Sequence, residues 1–184
     1  GDDCDILVMS ATPIPRTMVM TIFGDMDTSV IKNKPKNRKE IKTYSKLDTK
    51  LDEIISFVKK QINNNNQIFW VCPLIEESKK IDHQSAIQRY ESLKKKFNYK
   101  VGLLHGSMEK DKKNDILLKF LNKEIDILVS TTVIEVGIDF PDANLIIIEN
   151  ANKFGLSQLH QLRGRVGRGY KDSYCILMFK SSLS

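Results

Sequence analysis

The residues richest in chemistry lie in the run Gln161-Leu-Arg-Gly-Arg-Val-Gly-Arg168, where Arg163, Arg165 and Arg168 are interleaved with Gly164 and Gly167. So many guanidinium groups in so short a run are costly without an anionic partner. Glycine lets the backbone turn sharply and approach a neighbour closely, and the planar arginine fork suits paired bonds to a phosphate. Arginines presented in this way from one domain to a nucleotide held by another act as arginine fingers, worth roughly 10³ to 10⁵ in the rate of phosphoryl transfer. A solvated basic turn is the bland alternative, and it leaves the Q-x-x-G-R-x-G-R spacing without a reason.

A second constellation, Ser130-Thr-Thr-Val-Ile-Glu-Val-Gly-Ile-Asp139, follows the apolar run Ile125 to Val129. Open α/β sheets bind ligands beyond the carboxyl ends of their strands. Hydroxyls and the free amides of a helix start hold phosphate there, and a carboxylate such as Asp139 can accept from a ribose hydroxyl. A capped strand-to-helix turn explains Thr131 and Thr132 but leaves Gly137 and Asp139 without a role. Ser10-Ala-Thr12 follows the run Ile6 to Met9 and precedes Pro13-Ile-Pro-Arg16-Thr17. Taken alone, Ser10 and Thr12 also read as helix caps. Trp70 could stack on a base, which is worth roughly 1 to 3 kcal/mol, but its place in the middle of an apolar run favours burial. His105 heads His105-Gly-Ser-Met108 and suits either a phosphate contact or a structural hydrogen bond. His160 reads as a packing or supporting residue rather than a general base.

These residues must be positioned by short β-rich runs alternating with amphipathic stretches, the pattern of βαβ units in a parallel sheet. Strands are predicted at Ile6 to Met9, Ile41 to Tyr44, Ile68 to Val71, Val101 to Leu104, Ile125 to Val129, Leu145 to Ile148 and Tyr174 to Phe179. Leu47, Leu51, Ile54, Ile55, Val58 and Ile62 recur at helical spacing, with Asp48 or Ser45 as the expected cap and Asn63 to Asn66 as the stop. Further helices are predicted over Ala86 to Phe97, over Glu109 to Leu121, and from near Gly155. The stretch Lys32 to Lys42 carries six basic residues, one acid and Pro35, and reads as a linker. What precedes it supplies too little apolar sequence for a core. The expected division is therefore residues 1–31 as the edge of a preceding domain, 32–40 as a basic linker and 41–184 as a second domain.

Composition narrows the class. At 184 residues and 41% hydrophobic content the chain can bury a core, and its net charge of +6 favours polyanionic partners. Cys4, Cys72 and Cys175 stand far apart, so neither a zinc site nor a disulfide framework is indicated, and a reducing compartment fits best. No apolar run reaches the roughly 18 to 20 residues of a membrane span, and Gly1-Asp2-Asp3 does not begin a signal peptide. The start without Met, close upon an apolar run, leads us to expect a piece of a longer protein.

With Gln158-Leu-His-Gln before it, the arginine run resembles motif VI of superfamily 2 helicases. Ser130 to Asp139 is similar to motif V, Ser10-Ala-Thr12 to motif III, Phe69 to Ser78 to motif IV and His105 to Met108 to motif IVa. With Ile148-Glu149-Asn150-Ala151-Asn-Lys-Phe-Gly-Leu156 added, nearly the whole chain resembles the RecG branch-migration helicases. Transcription-repair coupling factors share the S-A-T-P-I-P-R-T and arginine runs, but the L-I-E-E-S run and Ile148 to Ala151 lean toward RecG. The resemblance implies a RecA-like parallel sheet flanked by helices, the second lobe of a motor that clamps ATP between two lobes. It assigns Arg165, Arg168 and Gln161 to the γ-phosphate, and Gly137 and Asp139 to the nucleotide. Thr131, Thr132, Arg16 and His105 are assigned to DNA, Arg163 to support or DNA, and Ser10 and Thr12 to coupling.

It further implies a bacterial, cytoplasmic, nucleoid-associated enzyme of DNA repair and recombination that remodels stalled forks, Holliday junctions and R-loops. The chain departs from the family in having no G-x-x-x-x-G-K-[ST] loop and no D-E-x-H run. ATP and Mg²⁺ are therefore expected mainly on a first lobe outside this chain, with a wedge domain for the branch, and the chain alone is expected to be inactive. A non-catalytic nucleic-acid-binding module is the alternative of another class.

Overall fold

The computed structural model describes residues 41–73, 79–97, 100–131, 143–166 and 171–181, with backbone alone for 79–84. The strands are β1 (Lys42–Leu47), β2 (Gln67–Cys72), β3 (Val101–Leu104), β4 (Ile127–Thr131), β5 (Ala143–Ile148) and β6 (Tyr174–Phe179). The α-helices are α1 (Leu51–Asn63), α2 (Lys79–Lys96), α3 (Lys110–Leu121) and α4 (Leu156–Arg163). All six strands form one sheet in the order β1-β6-β5-β2-β4-β3, and every neighbouring pair is parallel. The expected parallel sheet flanked by helices is thus present. The expected strand at Ile6 to Met9 lies outside the described residues.

A parallel sheet covered on both faces needs apolar side chains on both, and every residue of β2, β4 and β5 is buried. Alternation sorts them. Ile68, Trp70, Ile127 and Ile147 pack with Ile54 and Val58 of α1 and Ala86 and Leu93 of α2. Phe69, Val71, Ile146 and Leu177 pack on the other side with Phe120 of α3 and Leu159 of α4. At the amino edge a polar clasp satisfies the chain reversals. Gln67 Nε2 donates to the carbonyls of Phe120 and Ile125 at 2.6 and 2.8 Å. Asn66 Nδ2 donates to Gln61 Oε1 at 2.7 Å, and Asn144 Nδ2 donates to Asn66 Oδ1 at 2.8 Å.

Some boundaries differ from expectation. The strand expected to stop at Tyr44 runs to Leu47, and a 3₁₀ turn at Asp48–Lys50 precedes α1. Ser45 lies within that strand, and Asp48 accepts the Ser181 N–H at 3.1 Å, so neither caps the helix. This bond holds the Asp48 carboxyl below its ordinary pKa. Helix α2 begins at Lys79 rather than Ala86, because Lys79 to Ser85 has no apolar period by which to see it. Asp126 lies outside β4 yet is built into the sheet: its N–H donates to Lys100 O and its carbonyl accepts from Ile68, both at 2.8 Å. No helix among the described residues is long and apolar enough to cross a membrane.

The topology marks one place on the carboxyl edge. From β2 the chain passes through α2 toward the β4 and β3 side, whereas from β5 it passes through α4 to β6. Helices α2 and α4 contribute to opposite cores, so the adjacent pair β2 and β5 is the topological switch point of the sheet.

Candidate functional site

The arginine run follows directly from α4, and its position is set by apolar packing. Leu159 and Val166 are buried at 2% and 1% exposure, and Phe154 and Leu162 pack beside them. With that face committed, Gln161 is exposed and Arg165 half-buried. Gln158 caps the start, its Oε1 accepting the Gly155 N–H at 3.1 Å. Among the described residues no side chain pairs with the Arg165 guanidinium; its backbone N–H donates to Leu162 O at 3.1 Å.

Arg163 is different. It is only 6% exposed, and Nη1 donates to Thr43 Oγ1 in β1 at 2.9 Å. Of the two roles open to it, the structure supports the structural one: a guanidinium enclosed against β1 is not a free grip for DNA. Because Thr43 is the second residue of β1, the bond also places the end of α4 where the chain enters the sheet. His160, one turn before Gly164, is held below the usual histidine pKa by burial and then by the Arg163 charge, and its Nδ1 has no partner. A half-buried neutral imidazole beside a structural arginine agrees with a packing role.

Gly164 was expected to provide a sharp turn. Its backbone is right-handed, with φ −68°, and an added Cβ would meet Gln161 O at 3.4 Å and His160 O at 3.5 Å, which is ordinary contact. The described residues therefore impose no need for glycine there. Gly164→Ala is expected to change the stability of the chain by less than about 1 kcal/mol. A fall in melting temperature of more than about 4 °C would show that a neighbour inside the fold requires the glycine.

At the other end of the strands, Thr131 closes β4 and His105 follows β3. Thr131 is 1% exposed and its Oγ1 is buried without a hydrogen-bond partner. In this structure it faces the interior rather than a surface that DNA could reach. His105 is half-buried in a turn closed by the Met108 N–H on its carbonyl at 3.2 Å, with Lys113 Nζ on Gly106 O at 3.2 Å. Arg168, Gly137, Asp139, Thr132, Arg16, Ser10 and Thr12 lie outside the described residues. The structure thus sets the end of α4 near the start of β1, and Thr131 and His105 at the carboxyl ends of β4 and β3.

One group was missed from sequence. Glu149, the first residue after β5, accepts from Trp70 Nε1 at 3.0 Å, from Cys72 Sγ at 3.0 Å and from Arg89 Nη2 at 2.5 Å. Arg89 Nε also lies 3.1 and 3.2 Å from its two oxygens, and the guanidinium stands 5.4 Å from the centre of the Trp70 ring. Burial, then the Glu149 charge, pushes the Cys72 thiol well above its ordinary pKa, so it stays a protonated donor. Trp70 itself is 0% exposed, which settles burial over base stacking. The readable signal was the strand period, since Trp70 and Cys72 share a face and the β2 and β5 register carries Glu149 alongside them. A separate groove of about 300 Å³, lined by Tyr44, Phe57, Tyr174 and Ile176 among others, opens on the α1 face, away from the Arg163 to Thr43 bond. Among the described residues no three His, Cys, Asp or Glu side chains converge as a metal site.

Comparison with known proteins decides the family. The helicase conserved C-terminal domain model matches residues 47–170. The chain belongs to that family. The ATP-dependent DNA helicase RecG of Bacillus subtilis (strain 168) is 51% identical over 180 residues, 97% of this chain and 26% of that protein. RecG of Thermotoga maritima is 49% identical, over 97% of this chain and 23% of its own length. A structure of RecG bound to a three-way DNA junction superposes with a TM-score of 0.71 at 46% identity, covering 94% of this chain and 22% of that one. Dbp5 of S. cerevisiae bound to RNA and ADP BeF3 has a TM-score of 0.56 at 17% identity, over 77% of this chain and 36% of that one, a likeness of fold alone. These likenesses support a RecG-type C-terminal helicase lobe, as the motifs imply. The chain spans about a quarter of the length of the RecG relatives it matches.

Proposed function

We propose that this chain is the second lobe of an ATP-dependent DNA helicase that remodels branched DNA, acting on stalled forks, Holliday junctions and R-loops in bacterial recombination and repair. The observation that carries the reading is Arg165: a half-buried guanidinium without an ion-pair partner among the described residues, held by a packed helix beside the point where the chain enters the sheet. Such a group fits an anionic ligand presented from outside the lobe.

In this reading residues 1–31 belong to a first RecA-like lobe and 32–40 to the linker. Arg165, Arg168 and Gln161 complete a nucleotide site between the lobes, with Gly137 and Asp139 on the nucleotide side. ATP supplies the phosphoryl group whose loss drives the cycle. This chain's part is to place positive charge where negative charge develops, and to withdraw it when the lobes separate. The described residues offer no ligand set for Mg²⁺, so no step is assigned to it through them. Thr132, Arg16 and the His105 turn are proposed to contact DNA, with Ser10 and Thr12 coupling the lobes. Arg163 is left out of the DNA set because it is enclosed against Thr43. The named likeness to RecG on a three-way junction favours branched duplex DNA as the substrate. The cytoplasm, at the nucleoid, is the proposed location.

The test compares two proteins. The full-length enzyme is expected to hydrolyse ATP in response to a three-way junction, and this chain alone to show no junction-stimulated hydrolysis. A full-length protein that binds junctions without hydrolysing ATP would instead establish the non-catalytic binding module.

A further inference from the structure

Buried ion pairs are weak grounds for stability. Well-packed apolar residues of similar volume replace them without loss in many folds, so a retained pair calls for another explanation. Arg89 and Glu149 form a part-buried pair of this kind, with side chains 20% and 15% exposed. The carboxylate is not held by arginine alone, for it also draws in Trp70 and Cys72. Its backbone is fixed as well, the Glu149 N–H donating to Val71 O at 2.9 Å. One side chain therefore joins the end of β2, the middle of α2 and the exit of β5.

Its place gives the clamp a consequence. Glu149 stands at the switch point, where β2 and β5 send their connections to opposite faces. The next residue, Asn150, takes the left-handed conformation with φ 47° and ψ 51°. A 3₁₀ turn at Ala151–Lys153 and the capped start of α4 follow within a few residues, and α4 leads straight into Gly164 and Arg165. The direction in which the chain leaves β5 thus fixes the start of the helix that presents the arginine turn.

We propose that Glu149 and Arg89 are positioning residues for Arg165. They touch neither nucleotide nor DNA in this reading. Their bidentate pair, seated on Trp70 and Cys72, locks the segment from residue 149 to α4 in one orientation against β2 and α2. The part concerning turnover rests on the proposed helicase function; the part concerning order in the segment does not.

The test uses the full-length enzyme with Glu149→Gln, which keeps shape but loses charge, and Arg89→Lys, which keeps charge but loses the fork. Two quantities are read: backbone amide exchange by peptide, and junction-stimulated ATP turnover. Exchange in residues 149–166 is expected to rise about 10-fold or more while peptides of α1 and α3 keep wild-type rates. The kcat is expected to fall about 10-fold or more, with KM for ATP and junction affinity within about 2-fold of wild type, because a displaced catalytic group loses rate before binding. Exchange unchanged in that segment, or raised equally everywhere, overturns the positioning role. Selective loosening with unchanged kcat overturns the link to Arg165. A wild-type enzyme without junction-stimulated turnover overturns the helicase reading, and the exchange data still decide the clamp. Should Glu149→Gln fail to fold, Arg89→Lys carries both comparisons.

Discussion

Arg165→Ala in the full-length enzyme is expected to lower junction-stimulated ATP turnover by roughly 10³-fold or more, the range known for arginine fingers, while junction binding stays near wild type. The side chain has no ion-pair partner among the described residues, so its removal breaks no pair that the fold relies on. Its backbone N–H bond to Leu162 survives in alanine, and the helix before it is held by Leu159 and Val166. Stability should therefore hardly move, and lost turnover would report lost charge at the nucleotide. Arg165→Lys separates charge from geometry: a point charge on a flexible stem restores part of the electrostatic contribution but not the paired donors. The same result is expected of Arg168→Ala. Turnover within a few-fold of wild type in Arg165→Ala would remove that residue from the finger role, and measuring kcat with a gel-shift affinity on the same junction decides it.

Trp70→Ala should destabilise the lobe by about 3 to 5 kcal/mol, as expected when a fully buried aromatic is cut to alanine. Trp70 is 0% exposed in the middle of β2 and packs with both α1 and α2. Its loss leaves a cavity under two helices at once and takes one donor from Glu149. Against a total of about 5 to 15 kcal/mol for a typical domain, that leaves a lobe unfolding at much lower urea. Trp70→Phe keeps most of the volume and loses the N–H, for an expected cost of about 1 to 2 kcal/mol. Urea midpoints of the two variants test the division. If Trp70→Phe proved as damaging as Trp70→Ala, the hydrogen bond to Glu149 rather than the packing would dominate.

Much of this architecture was legible because parallel sheets write themselves as apolar runs. Gln67 to Cys72 and Ala143 to Ile148 lie inside the fold over their whole length, so the strands at Ile68 and Leu145 were visible without alignment. The helix over Glu109 to Leu121 showed through Ile116, Leu117 and Phe120. Other features depend on contacts across sequence and left no local mark. Lys79 to Ser85 is helical with no apolar period. Asp48 is drawn from the expected cap position by the backbone of Ser181, more than a hundred residues on. Arg163 looks equivalent to Arg165 in the sequence, two positions apart in one run; only the arrival of β1 at Thr43 encloses the first and spares the second. Arg89 and Glu149 were opaque for the same reason, since neither residue predicts the other until β2, α2 and β5 are brought together.

The strand order also bears on how the chain is made. Among the described strands β2 pairs with β4 and β5 and with none earlier in sequence, so Ile68 to Cys72 leaves the ribosome long before these partners exist. At about 5 to 20 residues per second, that fully buried strand waits several seconds for Ile127 and then Leu145 to arrive. Among the described elements α1 is the neighbour already synthesised when β2 emerges, and its Ile54, Ile55 and Val58 can shield β2 until α2 and then β4 follow. The amphipathic face of α1 thus serves the nascent chain as a temporary cover before it becomes half of a finished core.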